Sequence, residues 1–249
     1  MVAPSATLST LNRADGSASY QCPSTGSNIL GSVNAPVELP GRRDALKPED
    51  ATIEVFVKPG TAPAGVGERY VEGIIKTLLG RVILGREKGY PRRGVVITLA
   101  VIGGESVGRG DPYLVLLPAL LHTALLALLS ASVPLSMTFS ATVLAVDASG
   151  QIRREPSAED AATAQSVHVL AFSSKGHLLL NESQGSFDFD TWEKVRQRAS
   201  AICHGTQLVS ADGDVAMVED VDGRPLEGTL RETVEDQVYR DYNWKINAA

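Results

Sequence analysis

Two short loops carry the residues whose chemistry is easiest to read. Arg42 and Arg43 sit in the polar connector Leu39 to Asp50, and Lys88, Arg92 and Arg93 sit in the sequence GREKGYPRRG from Gly85 to Gly94. Clustered guanidinium and ammonium groups on a loop hold phosphate groups without base preference. An ordinary solvated loop, or one paired with an acidic neighbour, has the same composition. His122 stands inside an apolar stretch, where a neutral imidazole bonded to a backbone carbonyl is expected rather than a ligand. Asp147 and Glu155 read as turn carboxylates with no second acid to form a hydrolytic pair. Tyr20, Phe56 and Tyr90 are scattered, which suits packing better than base stacking. Cys22 and Cys203 are far apart and lack zinc-ligand spacing, so free thiols, no metal and a reducing compartment are expected. Serine-hydrolase chemistry is set aside for want of a nucleophile turn, and no glycine-rich phosphate loop followed by lysine occurs.

These side chains are carried by 249 residues with 43% hydrophobic content, enough for a sizeable core. Net charge is -6, so no basic footprint covers the whole molecule, and any nucleic-acid contact must be local or supplied by partners. The N-terminus lacks the basic start and apolar run of a signal peptide, which points to cytosol or nucleus. Tyr113 to Leu135 is long and apolar, but Pro118, His122 and Pro134 interrupt it and no cluster of Lys or Arg flanks it. A helix buried on nearly all sides, about 114–132, is expected rather than a membrane span.

Hydrophobic periodicity supplies the remaining elements. Ser17 to Cys22 and Asn28 to Val33 read as a hairpin, and Ala51 to Lys58 alternates strictly as a strand. Glu68 to Leu84 spaces its apolar residues as an amphipathic helix, and Val95 to Ile102 is an apolar strand. Strands follow at Ser136 to Val146, Val167 to Ser173 and His177 to Asn181, and Asp188 to His204 reads as a helix stopped by Gly205. Beyond Gln207 an acidic stretch, Asp212 to Asp222, precedes a helix around Leu230 to Tyr242. The order predicts an α+β protein with two sheets packed by helices.

Five stretches in this order resemble the RNase PH family, in the form found in the ring of the eukaryotic RNA exosome. They are Arg13 to Ala18 (RADGSA), Asn28 to Leu39 (NILGSVNAPVEL), the strand from Ala51, the run Glu68 to Ile102, and the helix Leu120 to Leu135 leading to the Met137 strand. Glu155 to Glu159 (EPSAE) stands where the family often has an Asp-Pro-Thr pattern. The likeness spans about residues 8–206, which implies an RNase PH-like domain over 1–206 and an acidic extension over 207–249.

The resemblance implies a ribosomal protein S5 domain 2-like fold and a six-membered ring through which RNA is threaded. Implied partners are other RNase PH-like ring subunits, S1/KH cap subunits and an associated exoribonuclease, and implied locations are nucleus, nucleolus and cytoplasm. No cofactor is implied. Active members hold phosphate at a Gly-Gly-Thr-Arg turn opening the central helix. The matching run here is Val115-Leu116-Leu117-Pro118, so Leu116, Leu117 and Pro118 mark a degenerate phosphate site. The family's strand carboxylate is matched by Ser166, a degenerate catalytic acid. The expectation is a ring subunit without catalysis. The alternative is an active, phosphate-dependent 3′-to-5′ exoribonuclease.

Overall fold

Strand pairing begins where the chain is small and β-prone. The computed structural model describes residues 5–22, 25–39, 48–60, 64–103, 113–205, 208–209, 215–216 and 225–246. Strands β1 (Ser5–Leu8), β2 (Gly16–Gln21), β3 (Asn28–Val37), β4 (Thr52–Pro59) and β5 (Gly94–Ile102) form one sheet, ordered β1-β2-β3-β5-β4. The hairpin runs in register from Gly16 opposite Val33 to Gln21 opposite Asn28. β4 and β5 are parallel, joined by helix α1 (Val66–Val82), while β3 meets β5 antiparallel. As alternation predicts, Val55 and Val57 of β4 are buried and Phe56 is exposed. On α1, Val71, Ile75, Leu78, Leu79 and Val82 turn to the core, and the Glu72 carboxylate accepts the Val57 N–H at 2.9 Å, guarding the outer edge of β4.

Helix α2 (Leu117–Ser130) lies at the centre, and every side chain from Leu117 to Leu128 is buried. It is shorter than the expected 114–132. Pro118 fits only a first turn, and Ser132 adopts a left-handed φ of 53°, so neither flank continues the helix. Two glycines let α2 approach the first sheet. A Cβ on Gly16 would stand 2.3 Å from Ala131 N, and one on Gly31 would stand 2.7 Å from Thr123 Cγ2.

The second sheet holds β6 (Phe139–Val146), β7 (Ile152–Arg154), β8 (Ser166–Ser173) and β9 (Leu178–Gly185), ordered β7-β6-β8-β9. Helix α3 (Ala158–Thr163), capped by the Ser157 hydroxyl, connects β7 to β8. Helix α4 (Phe189–His204) covers the face turned away from α2, with Val195, Ala199 and Ile202 against Leu144, Val146, Leu170 and Phe172. Both faces are covered, so β6 and β8 are buried throughout, as unbroken apolar strands should be. α4 ends at Gly205 with φ 73°.

A two-residue ladder, β10 (Leu208–Val209) with β11 (Val215–Ala216), precedes α5 (Leu226–Ile246). Leu226 and Leu230 are buried and Val234 packs on the core. No helix among the described residues is long and apolar enough to cross a membrane. The architecture is α+β, two sheets with helices packed on them around a buried central helix.

Candidate functional site

The N-terminus of α2 is where this architecture would present an anion site, and its donors are largely used or missing. The Leu117 N–H bonds to Leu114 O at 3.3 Å, Pro118 has no N–H, and the Leu120 N–H bonds to Leu116 O at 3.0 Å. Leu116 and Leu117 are fully buried, and Pro118 is buried with them. Beside this turn lies a cavity of about 20 Å³, lined by Tyr20, Cys22, Pro118, His122, Val143 and Glu155 among others. That space suits one water molecule, not the five heavy atoms of a phosphate.

His122 is held differently from the sequence expectation. Its Nε2 accepts the Ala141 N–H at 2.9 Å and its Nδ1 lies 3.2 Å from the Tyr20 hydroxyl, so its partners are an amide and a phenol rather than a carbonyl. Burial, helped by the Arg154 charge, lowers its pKa to about 4. The neutral ring must therefore carry its proton on Nδ1 and donate it to Tyr20. Burial first, then the Glu155 charge and Cys22, raises the Tyr20 pKa against an opposing pull from Arg154. Glu155 takes a left-handed φ of 49°, strained for a residue with a Cβ, and its carboxylate lies 3.4 Å from the Arg154 guanidinium.

Ser166 is buried at the start of β8, and its hydroxyl lies 3.0 Å from His168 Nε2. His168 Nδ1 meets the Ser183 hydroxyl at 2.8 Å, and Phe187 packs edge-on at 4.6 Å. Burial lowers the His168 pKa. Ser166 pairs with Val146, whereas Val143 lines the cavity three places along β6, about 10 Å away at strand rise. The structure does not bring Ser166 and Pro118 into one lining.

The basic loop is exposed at Lys88, Arg92 and Arg93, and at Arg86, which sequence reasoning passed over. Among the described residues none of these four makes an ion pair. Two successive turns shape the loop, with Tyr90 N–H on Glu87 O and Arg93 N–H on Tyr90 O, each 3.0 Å. Arg42 and Arg43 lie outside the described residues, but both flanks of their segment reach this loop. Leu39 packs so closely on Gly94 that a Cβ there would stand 2.7 Å from it, and the Ala51 N–H bonds to Gly85 O at 3.0 Å. That juxtaposition of Gly85, Gly94 and the connector's ends is a long-range feature no local spacing signals.

Sequence reasoning also missed a motif. Gly104-Glu105-Ser106-Val107-Gly108 has the Gly-x-Ser-x-Gly spacing that the reading above found wanting. It too lies outside the described residues. Cys22 and Cys203 are both buried, in different hydrophobic clusters, and are not joined in a disulfide.

No family model matches the chain. The structure is similar to that of rice (Oryza sativa) Rrp46, with a TM-score of 0.67 and 26% identity over 78% of this chain and 86% of that one. It is also similar in fold to the Archaeoglobus fulgidus exosome with RNA bound to the active site, TM-score 0.62 and 12% identity over 79% of this chain and 84% of that one. An archaeal exosome core gives a TM-score of 0.61 and 12% identity, over 79% of this chain and 81% of that one. The chain thus has the RNase PH-like fold of exosome core subunits, and it resembles Rrp46 in sequence as well as in shape.

Proposed function

We propose that this chain is a non-catalytic subunit of an RNA exosome ring, assembling the barrel through which RNA is threaded for 3′-to-5′ processing and degradation. The likeness to rice Rrp46 supports ring membership. The observation that carries the catalytic silence is the sealed N-terminus of α2. Leu116, Leu117 and Pro118 fill the phosphate position with apolar side chains, and the adjoining cavity of about 20 Å³ takes one water. Loss of the strand carboxylate at Ser166 agrees with this, because its hydroxyl is committed to His168.

In this reading the partners are other RNase PH-like ring subunits, S1/KH cap subunits and an associated exoribonuclease, acting in nucleus, nucleolus and cytoplasm. Residues 1–206 are the ring domain and 207–249 an extension. RNA contact falls to Lys88, Arg92 and Arg93, with Arg42 and Arg43 on the segment whose flanks meet the same loop. Replacing Arg42, Arg43, Arg92 and Arg93 with Glu should abolish RNA crosslinking to this subunit in the assembled ring. Unchanged crosslinking would make the role purely structural. Mass spectrometry of proteins recovered with a tagged copy from its native cell tests membership. Recovery of RNase PH-like subunits is expected, and their absence would end the proposal.

A further inference from the structure

Two buried donors are left over at the start of α2. The Leu117 N–H is taken by Leu114 O, Pro118 has none, and the Leu120 N–H is taken by Leu116 O, whereas the Ala119 N–H meets no acceptor among the described residues. The second donor is a phenol. Because His122 gives its Nδ1 proton to Tyr20, the Tyr20 oxygen is an acceptor there, and its own O–H meets no acceptor among the described residues. Ala119 is 3% and Tyr20 4% exposed, so neither donor turns to bulk solvent, and both residues line the same cavity of about 20 Å³. Donors buried in this way carry the full penalty of desolvation unless something in the cavity accepts from them. Glu155 completes the lining with a carboxylate that is itself largely buried and whose charge acts on Tyr20.

We infer that this cavity is a built site for one ordered water, which accepts from the Ala119 N–H and the Tyr20 O–H and donates to the Glu155 carboxylate. Charge and size select the occupant together. An anion would satisfy both donors but stand against the Glu155 charge, and a metal ion would suit Glu155 but face two hydrogens. Water both accepts and donates, about 20 Å³ is the room it needs, and about three partners is the usual number for a buried water. The water completes a chain of hydrogen bonds that all point one way. The Ala141 N–H donates to His122 Nε2, the His122 Nδ1–H to Tyr20 Oη, the Tyr20 O–H to the water, and the water to Glu155. β6, α2, β2 and the residue after β7 are thereby joined through one buried molecule, with Glu155 as the terminal acceptor that fixes the direction of every proton. This site stands whether or not the chain joins a ring.

A high-resolution crystal structure of the full chain, grown in the presence of bromide, tests the site directly. One density peak without anomalous signal is expected, about 2.7–3.2 Å from Tyr20 Oη, Ala119 N and a Glu155 oxygen. In solution, the wild-type chain should show a nuclear Overhauser cross-peak between a long-lived water and the Ala119 amide. That cross-peak should weaken in Tyr20→Phe, which removes one of the water's partners, and vanish in Val143→Ile, whose added methylene fills the cavity. Should the isoleucine variant fail to fold, the wild type and Tyr20→Phe still decide the matter. An anomalous peak in the cavity, which would mark an anion, overturns the assignment. So does a cavity without density, a direct bond from Tyr20 to Glu155, or an Ala119 cross-peak undiminished in Tyr20→Phe.

Discussion

The two ends of α2 solve different problems. Near its C-terminal end and middle, Gly16 and Gly31 keep the first sheet so close that an added methyl group would overlap Ala131 N or crowd Thr123. At its N-terminal end Leu116, Leu117 and Pro118 are buried, and in the function proposed above they stand where a phosphate cradle would. The first end answers to packing, which any protein of this fold needs to seat its central helix. The second, in that proposal, answers to chemistry, with core side chains standing in for a site.

The largest effects should come from the filled end. Leu117→Ala should cost about 3 kcal/mol in urea unfolding, within the roughly 2–5 kcal/mol range for buried leucine, and should create no phosphate affinity measurable by calorimetry. Phosphate binding by that variant would mean that only bulk blocks the site. The pH dependence is of similar size. With its folded pKa near 4 and an unfolded value of about 6.5, His122 binds its proton more readily when unfolded. Its contribution is complete above about pH 6.5 and is lost as pH falls toward 4, roughly 3 kcal/mol in all. Chemical denaturation across that window should show the loss, and His122→Asn should flatten it. A slope unchanged by the substitution would break the assignment of His122 as a neutral pin between Tyr20 and Ala141.

Smaller effects belong to the close-packed end. Gly16→Ala should cost about 2 kcal/mol, in the range for overpacking, which lowers Tm by roughly 4–8 °C. Gly31→Ala should cost less, because its nearest neighbour is a side-chain methyl of Thr123 rather than backbone. If Gly16→Ala were neutral in thermal unfolding, close approach would not be what seats α2. Smallest of all, Arg92→Glu should leave Tm within about 1 °C of wild type, since the side chain is exposed and unpaired among the described residues.

Much of this contrast was legible in the sequence wherever the signal was local. The continuous apolar run of α2, the alternation of Val55 and Val57, and the β2–β3 hairpin were all readable from spacing. β1 escaped because Ser5 to Leu8 is short and half-exposed at a sheet edge, with no period to detect. β7 and α3 escaped because each is shorter than the windows that periodicity requires. The extent of α5 was underestimated, since Glu227 to Thr229 and Asn243 to Lys245, at its two ends, extend no apolar period. The burial of Leu116 to Pro118 was legible from residue type alone. The Tyr20–His122–Ala141 chain was not, because its first two members stand 102 residues apart. Nor did spacing show that Ser166 is bonded to His168 and removed from the α2 terminus.

Catalytic silence is tested most directly by incubating the purified chain, and then its assembled ring subcomplex without the associated exoribonuclease, with single-stranded RNA, inorganic phosphate and magnesium. The account predicts no nucleoside diphosphate from the chain, and no loss of the subcomplex's output when Leu117 and Ser166 are each replaced conservatively. Phosphate-dependent release of nucleoside diphosphates by the chain alone, abolished by those replacements, would contradict it.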